Sequence, residues 1–391
     1  MPPTGGRGTM RRMRFRRAFL TLAFALLAAR VPLGAQDDGQ RLLTLDHYVR
    51  VVSQVPAMAG QFSQVYVREK VAAGVALRGP AAQDRVVLFV HGAGTPSEVA
   101  FDTPVGTHSW MAFLARSGFD VFALDATGYG PSTRPPAMLD PCNLAEAQQA
   151  QFVPSLIPAP CRPSFPGQLT SVASDWHEID RVVDYIRRLR GVSKVHLVAW
   201  SLGGPRAGGY AAQHPDKVHR MVLFAPAYNR TAPAAAPTLP APGAAFTTQS
   251  QSEFVANWDR QVGCAGQYDP AVRDAVWADL LASDPVGATW GTGVRRAPAT
   301  TTWGWNQAML AGTRIPTLLV AGALDRQVPP ARVREAYDDL GSADKVMVDL
   351  GCASHNAQWE RYHLLLFQAS AEWLLKGSLG DQKTGVVRLG Y

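Results

Sequence analysis

Arg85 is followed by five consecutive apolar residues, Val86 to Val90, with no polar position between them. A run without alternation predicts a strand covered on both faces, as in a parallel sheet. Further strands are expected at Phe119–Leu124, in the β-branched stretch Val195–Ala199, at Met221–Phe224, at Ile315–Gly322 and at Lys345–Leu350, which reads as the last strand. Segments of helical period lie between them. Ser109–Ser117 ends at Gly118, and Pro205–Gln213 is compatible with a helix. In Asp175–Leu189 the apolar residues Trp176, Ile179, Val182, Val183, Ile186 and Leu189 recur at spacings of three and four. Ser174 or Asp175 is the expected cap of that helix, Glu178 would complete a capping box, and Gly191 would end it. A closing helix carries Trp359, Leu366, Phe367 and Trp373. Near the start, Phe62–Arg68 alternates in part and Gly74–Leu77 is short and apolar, so both are expected as antiparallel edge strands.

Two stretches interrupt this strand–helix rhythm. Residues 131–172 are Pro-rich, contain Cys142 and Cys161, and predict one short helix near Leu144–Gln151. From Ala225 to Arg314, Ala-Pro repeats between Thr231 and Pro242 read as an extended linker, and helical pieces follow near Glu253–Arg260 and Ala271–Ala282. Five of the ten tryptophans fall here, Trp258, Trp277, Trp290, Trp303 and Trp305. Most are expected to form a small core for this segment, with one or two facing a pocket. No internal repeat is present.

Composition adds two exclusions. The chain has 391 residues, 47% hydrophobic and 18% charged, enough for one large core plus insertions. The formal charge of +7 invites a nucleic-acid or membrane-surface partner, but Arg7, Arg11, Arg12, Arg14, Arg16, Arg17 and Arg30 all lie in residues 1–35, where there is no acid. Without them 31 basic residues face 31 acidic ones, so nucleic acid is not an expected partner. A basic start, an apolar Ala18–Ala29 stretch and Leu33-Gly34-Ala35 before Gln36 have the form of an export signal. The apolar run is too short for a stable anchor, and Arg16-Arg17 also fits a twin-arginine pattern. The expectation is an exported protein, periplasmic or secreted, with no membrane anchor once residues 1–35 are removed. Four cysteines in such a chain read as two disulfides with three possible pairings. Cys142–Cys161 is favoured by proximity in sequence, leaving Cys264–Cys352. No Cys-x-x-Cys or His-Glu-x-x-His spacing occurs, and neither a metal nor another cofactor is expected.

Candidate chemistry lies where the strands end. Ala199-Trp200-Ser201-Leu202-Gly203-Gly204 joins a strand to a helix through a very short turn, which forces the residue at its apex into a strained backbone and lifts its side chain above the sheet. His91-Gly92-Ala93-Gly94 opens a loop whose backbone N–H groups can approach a ligand. A phosphate-binding loop is the weaker reading, since there is no third glycine in register and no lysine. Asp125-Ala-Thr-Gly-Tyr-Gly follows another strand, and Asp125 is expected to hydrogen-bond within that turn. Asp325 lies in Gly322-Ala-Leu-Asp-Arg-Gln-Val-Pro and His355 in Gly351-Cys-Ala-Ser-His-Asn. Ser201, Asp325 and His355 each follow a predicted strand, so each belongs at the carboxyl edge of one sheet, where such folds build their sites.

These motifs, in the order Ser…Asp…His, resemble the α/β-hydrolase family over roughly residues 60–375, and lidded bacterial serine hydrolases in particular. The departures are Ala199, where glycine is usual, and the two insertions. The resemblance implies an α/β fold: a mostly parallel eight-stranded sheet flanked by helices, built from residues 36–224 and 315–391, with a lid at 225–314. It implies Ser201 as nucleophile, His355 as its base and Asp325 as the acid that orients the base. The N–H groups of Ala93 and Leu202 would form the oxyanion hole. Related epoxide hydrolases and haloalkane dehalogenases carry aspartate at the apex, so serine disfavours their chemistry. The expected activity is cleavage of a small-molecule carboxylic ester through an acyl-enzyme. An acyltransferase or amidase using the same triad is the alternative, and a catalytically silent binding module a third reading.

Overall fold

Strands buried on both faces need helices on both sides, and the chain supplies them. The computed structural model describes residues 40–76, 82–291 and 293–391. Its nine-stranded sheet comprises β1 (Leu42–Val52), β2 (Phe62–Ala72), β3 (Val86–Val90), β4 (Asp120–Asp125), β5 (Val195–Trp200), β6 (Val218–Phe224), β7 (Thr317–Gly322), β8 (Lys345–Leu350) and β9 (Thr384–Leu389), in the order β1-β2-β4-β3-β5-β6-β7-β8-β9. From β4 to β9 all neighbours are parallel, while β2 runs antiparallel to β1 and β4. Every residue of β3, β4, β5 and β7 is buried, which is why these strands read as largely apolar, with Asp120, Asp125, His196 and Thr317 the buried polar exceptions.

The sheet has one strand more than the eight expected. After the closing helix the chain returns as β9, whose residues are alternately exposed and half-buried. β1, the opposite edge, is likewise largely exposed. Ala73–Ala76 form a single helical turn instead of the expected strand. β2 already runs to Ala72, so these residues have no strand left to pair with.

Eight helices matter below: α1 (Ser97–Phe101), α2 (Trp110–Arg116), α3 (Val172–Arg190), α4 (Gly203–Gln213), α5 (Gln251–Asp259), α6 (Pro270–Ser283), α7 (Pro330–Asp339) and α8 (His363–Lys376). α2 and α8 pack together, with Trp110 stacked on Phe367 at 5.1 Å, and α3 packs against α4. The start of α3 corrects the sequence reading. Ser171 is the cap, and its side chain accepts from Ser174 N–H while the Ser174 hydroxyl accepts from Ser171 N–H. The helix therefore begins three residues before Asp175, and Asp175 and Glu178 turn inward to other partners. Gly191 ends it at φ +65° as expected.

The tryptophans of residues 225–314 do not form a core of their own. Trp258 and Trp277 pack around Phe254, with centroids 5.6 and 5.4 Å from its ring, and Trp258 stacks on Trp359 at 5.7 Å. Trp305 packs on Tyr228 and Trp303 on Trp176. Trp290 meets Phe152 and Phe246, in a second small core with Met138, Leu144, Ile157 and Leu169 from the Pro-rich insertion. The segment is thus knitted to its surroundings in three places. Cys142 pairs with Cys161 and Cys264 with Cys352, a feature that suits an oxidising environment. No described helix is long and apolar enough to cross a membrane, and the expected export segment lies outside the described residues.

Candidate active site

Only Ser201 and Leu202 separate β5 from α4, and Ser201 takes φ +57°. That left-handed backbone costs a non-glycine residue on the order of 1–3 kcal/mol and persists only when neighbours enforce it. Here Ser201 N–H donates to the Phe224 carbonyl (3.0 Å), and the Ser201 carbonyl accepts from Gly204 N–H and Ala227 N–H (both 2.9 Å). A side chain at 203 would strike the Val90 carbonyl, and one at 204 would come within 2.5 Å of Pro226. Ala199 is fully buried, opposite Val90 on one side and Leu223 on the other. Its extra methyl is absorbed there, two residues from the tight spot.

The His-Gly loop passes directly beside this turn: a Cβ at Gly92 would lie 2.8 Å from that of Ser201. His91 is fully buried. Burial, then the nearby Arg206 charge, hold its pKa well below the usual histidine range, so it is neutral. Its Nε2 accepts from Ala126 N–H (3.1 Å), so Nδ1 carries the proton and donates to the Gly92 carbonyl (2.7 Å). Ala93 is exposed, Ser201 and Leu202 half-buried. Among the described residues neither Ala93 N–H nor Leu202 N–H finds an acceptor within the protein.

Asp325 and His355 follow β7 and β8. Asp325 Oδ2 accepts from His355 Nδ1 at 2.8 Å, and Oδ1 from the N–H groups of Gln327 and Val328, both at 2.8 Å. The Asp325 side chain is fully buried and that of His355 is 4% exposed. Trp200, next to Ser201, donates from Nε1 to the His355 carbonyl (2.9 Å), and its ring centroid lies 5.4 Å from that of the imidazole. The structure therefore gathers all five nominated residues at one edge of the sheet. His355 Nδ1 is occupied by Asp325, and among the described residues Nε2 has no hydrogen-bond partner.

Asp125 is not one of them. Its Oδ1 accepts from Ser97 N–H (2.6 Å) at the start of α1, rather than within its own turn. Burial, then the charge of Glu98, push its pKa up to about 8.

Other residues at the site went unnoticed in sequence. Gln261, from the 225–314 segment, accepts on Oε1 from His355 N–H (3.4 Å) and Arg326 N–H (3.3 Å). Glu360 accepts from Ser354 N–H (2.7 Å), the Ser354 hydroxyl (2.6 Å) and Gln267 Nε2 (3.0 Å). Burial outweighs these donors and raises its pKa to about 7. Arg206 and Asp175 form a buried ion pair at 2.7 Å beneath the His-Gly loop, and Glu178 accepts from Thr127 N–H (2.9 Å) and its hydroxyl (2.5 Å). An arginine amid glycines on α4 was the one visible signal.

Volume alone points elsewhere. A cavity of about 800 Å³ is lined by Arg68, Lys70, Glu98, Asp102 and Asp279 among others, but by none of Ser201, Asp325 or His355. Its charges largely satisfy one another, Lys70–Asp102 at 2.8 Å and Arg68–Glu98 at 3.1 Å. The strained serine and the imidazole–carboxylate pair are the stronger guide to chemistry. Among the described residues no group of three or more His, Cys, Asp or Glu side chains gathers as metal ligands.

Comparison with known proteins identifies the fold family. A stretch of 46 residues is 50% identical to the poly(3-hydroxyalkanoate) polymerase subunit PhaC of Allochromatium vinosum, and covers 12% of this chain and 13% of that protein. Among solved structures, the monoacylglycerol lipase of Paleococcus ferrophilus is 20% identical with a TM-score of 0.46, over 80% of this chain and 99% of that one. A thermophilic esterase of Thermogutta terrifontis is 17% identical with a TM-score of 0.49, over 84% and 98%. The family profile described as alpha/beta hydrolase fold matches residues 85–362, well over half of the sequence. The chain belongs to the alpha/beta hydrolase fold family.

Proposed function

We propose that this protein is a serine hydrolase that cleaves the carboxylic ester of a small molecule through an acyl-enzyme. One observation carries the reading: a serine held at φ +57° at a strand–helix turn, next to a tryptophan that fastens the loop of a carboxylate-paired imidazole. A serine hydroxyl is a poor nucleophile until a base takes its proton. His355 Nε2 takes the Ser201 proton as Oγ attacks the ester carbonyl, and Asp325 stabilises the imidazolium. Ala93 N–H and Leu202 N–H receive the developing oxyanion. Collapse expels the alcohol with the proton from His355. Water, activated by the same imidazole, then releases the acid. The two disulfides support export to the periplasm or beyond.

Acyl transfer is the second reading, favoured by the short stretch shared with a polymerase whose named product, a poly(hydroxyalkanoate), is a polyester. It needs only an alcohol in place of water; an amidase would take an amide in place of the ester. Labelling by a fluorophosphonate, with the adduct mapped to Ser201 and lost in Ser201→Ala, tests the nucleophile and separates an enzyme from a silent binding module. Turnover of p-nitrophenyl esters and anilides, with and without alcohol acceptors, then assigns the reaction. Absence of labelling in folded protein would sink the proposal.

A further inference from the structure

Arg206 lies inside α4 between Gly203-Gly204-Pro205 and Ala207-Gly208-Gly209. Its side chain is only 1% exposed. Burying a guanidinium is costly unless its partners are well placed. The small residues around it already let the helix approach its neighbours, so packing does not require the charge. Its partners show what it touches. Nε donates to Asp175 Oδ2 (2.7 Å), and Nη1 donates to the carbonyl oxygens of His91 (3.0 Å) and Gly92 (3.2 Å).

The Gly92 carbonyl is one end of a peptide unit, and Ala93 N–H is the other. A trans peptide is planar, with its C=O and N–H pointing in opposite directions. Fixing the carbonyl towards Arg206 therefore aims the Ala93 N–H the opposite way. Two donors meet that oxygen, one of them cationic, because His91 Nδ1 also donates to it at 2.7 Å. Hydrogen bonds to a carbonyl, charged ones above all, polarise the peptide and strengthen its amide as a donor. The Leu202 amide is built alike: its peptide carbonyl, on Ser201, also accepts two hydrogen bonds, both from neutral backbone amides. Tyr129 secures the next residue of the loop, accepting from Gly94 N–H at 3.3 Å, with its ring 4.2 Å from that of His91.

We propose that Arg206, itself held by Asp175, is a positioning residue that orients and polarises the Gly92–Ala93 peptide as an oxyanion donor. The proposal rests on the serine hydrolase reading above. Arg206 touches no reacting atom and acts through the loop.

The test compares wild type with Arg206→Lys and with the double variant Arg206→Met/Asp175→Leu, which removes both charges so that neither is stranded. Three quantities are read: kcat and KM on the best p-nitrophenyl ester, and affinity for a trifluoromethyl ketone, whose serine adduct is a tetrahedral oxyanion. Misaiming a donor should cost less than deleting one, so kcat of the double variant is expected to fall about 10- to 100-fold. KM should change by less than about threefold, the pattern of an interaction made only in the transition state. Ketone affinity should fall in step with kcat, and Arg206→Lys should recover part of both. A residue that merely stabilises the fold would lower the melting temperature and leave kcat and ketone affinity per folded molecule at wild-type values. That result overturns the proposal. Should the double variant not fold, Arg206→Lys decides alone, since wild-type kcat and ketone affinity in it are equally fatal. Failure of wild type to label with fluorophosphonate would overturn the hydrolase reading itself, whereas labelled enzyme with unaffected variants removes only the role of Arg206.

Discussion

Ser201 and Ala93 hang from adjacent strands of the central sheet, β5 and β3, whereas His355 and Asp325 lean on a segment that lies outside the sheet. On the first side most constraints are short-range or buried in the core: strand register, the glycines at 92, 203 and 204, and the Asp175–Arg206 pair, with Pro226 and Ala227, just after β6, contributed by residues 225–314. On the second side Gln261 holds the amides of His355 and Arg326, Gln267 reaches Glu360, Cys264 bonds to Cys352, and Trp258 stacks on Trp359. The proposed nucleophile and oxyanion loop should therefore be as durable as the sheet, while the proposed base and acid depend on how firmly residues 225–314 are attached.

The largest expected effect sets the scale and treats both sides alike. Ser201→Ala and His355→Ala should each lose at least about a thousandfold in kcat, and the double variant little more, because triad members act as a unit. Asp325→Asn should also be severe, since an amide favours the wrong imidazole tautomer. Steady-state kinetics on a p-nitrophenyl ester check all four, and near-wild-type turnover in any single variant would move the chemistry elsewhere.

Next come the two disulfides, which separate the sides. Cys264–Cys352 closes a separation of 88 residues and ends three residues before His355; Cys142–Cys161 closes 19, within the Pro-rich insertion. In the loop-entropy model the longer bridge constrains the unfolded chain by roughly 4.6 kcal/mol and the shorter by about 3.2 kcal/mol. Stability alone hardly distinguishes them, but position does. Cys264→Ser/Cys352→Ser should lower kcat at moderate temperature before the sheet melts, while Cys142→Ser/Cys161→Ser should leave kcat within about twofold, as it touches no group that acts in the transition state. Activity and circular dichroism followed together on heating test this, and full activity without the longer bridge would break the comparison.

Gln261→Ala sharpens it further. The variant frees two backbone amides whose bonds are at the outer limit of length, so the expected loss is at most about 0.5–1.5 kcal/mol per bond. It should appear as a several-fold drop in kcat with the fluorophosphonate site intact. An unchanged kcat would mean that the bridge and the Trp258–Trp359 stack suffice.

The same division explains what could be read from the sequence. The sheet side was legible because its requirements are local: a run of buried residues, a turn of small ones, a His-Gly step after a strand. The edge strands were less so. β1 reads Leu-Leu-Thr-Leu-Asp-His-Tyr-Val-Arg-Val-Val, mixing polar and apolar positions because one rim faces solvent, and β9 was missed for the same reason. The base side was legible only in its chemistry. Asp325 and His355 announce themselves by residue type and order, but Gln261 and Gln267 are ordinary residues whose partners lie 65 to 94 positions away. The start of α3 was misplaced because Asp175 and Glu178 looked like capping residues, although both are committed to buried contacts with Arg206 and Thr127.

The smallest expected effect concerns pH and weighs the two sides through their buried carboxyls. Asp125 and Glu178 lie behind the His-Gly loop, and Glu360 beside His355. None is in an ion pair among the described residues, and burial pushes their pKa values up to about 8, about 7 and about 7 respectively. A raised acid keeps its proton in the folded state where the unfolded chain has released it. Its stabilisation is therefore complete below the unfolded value, near 4, and is lost as pH rises through the folded value. His91, His196 and His363 work in the opposite sense. Burial lowers them, so their contribution is present above about pH 6.5 and lost as pH falls below it. The two trends oppose one another between about pH 4 and 6.5, and above that only the acids remain. All four cysteines are bridged and add no thiol titration. The melting temperature should thus decline from about pH 6.5 to 8.5, each released proton costing up to about 1.4 kcal/mol per pH unit. Asp125 should dominate, because it has the highest value and its Oδ2 has no hydrogen-bond partner. Asp125→Asn, which keeps the acceptor for Ser97 N–H, should flatten the decline, and Glu360→Gln should alter it less. A melting temperature that stays level or rises over this window would show that these carboxyls ionise freely in the folded protein. A decline abolished by Glu360→Gln instead would place the pH-sensitive charge beside the base loop.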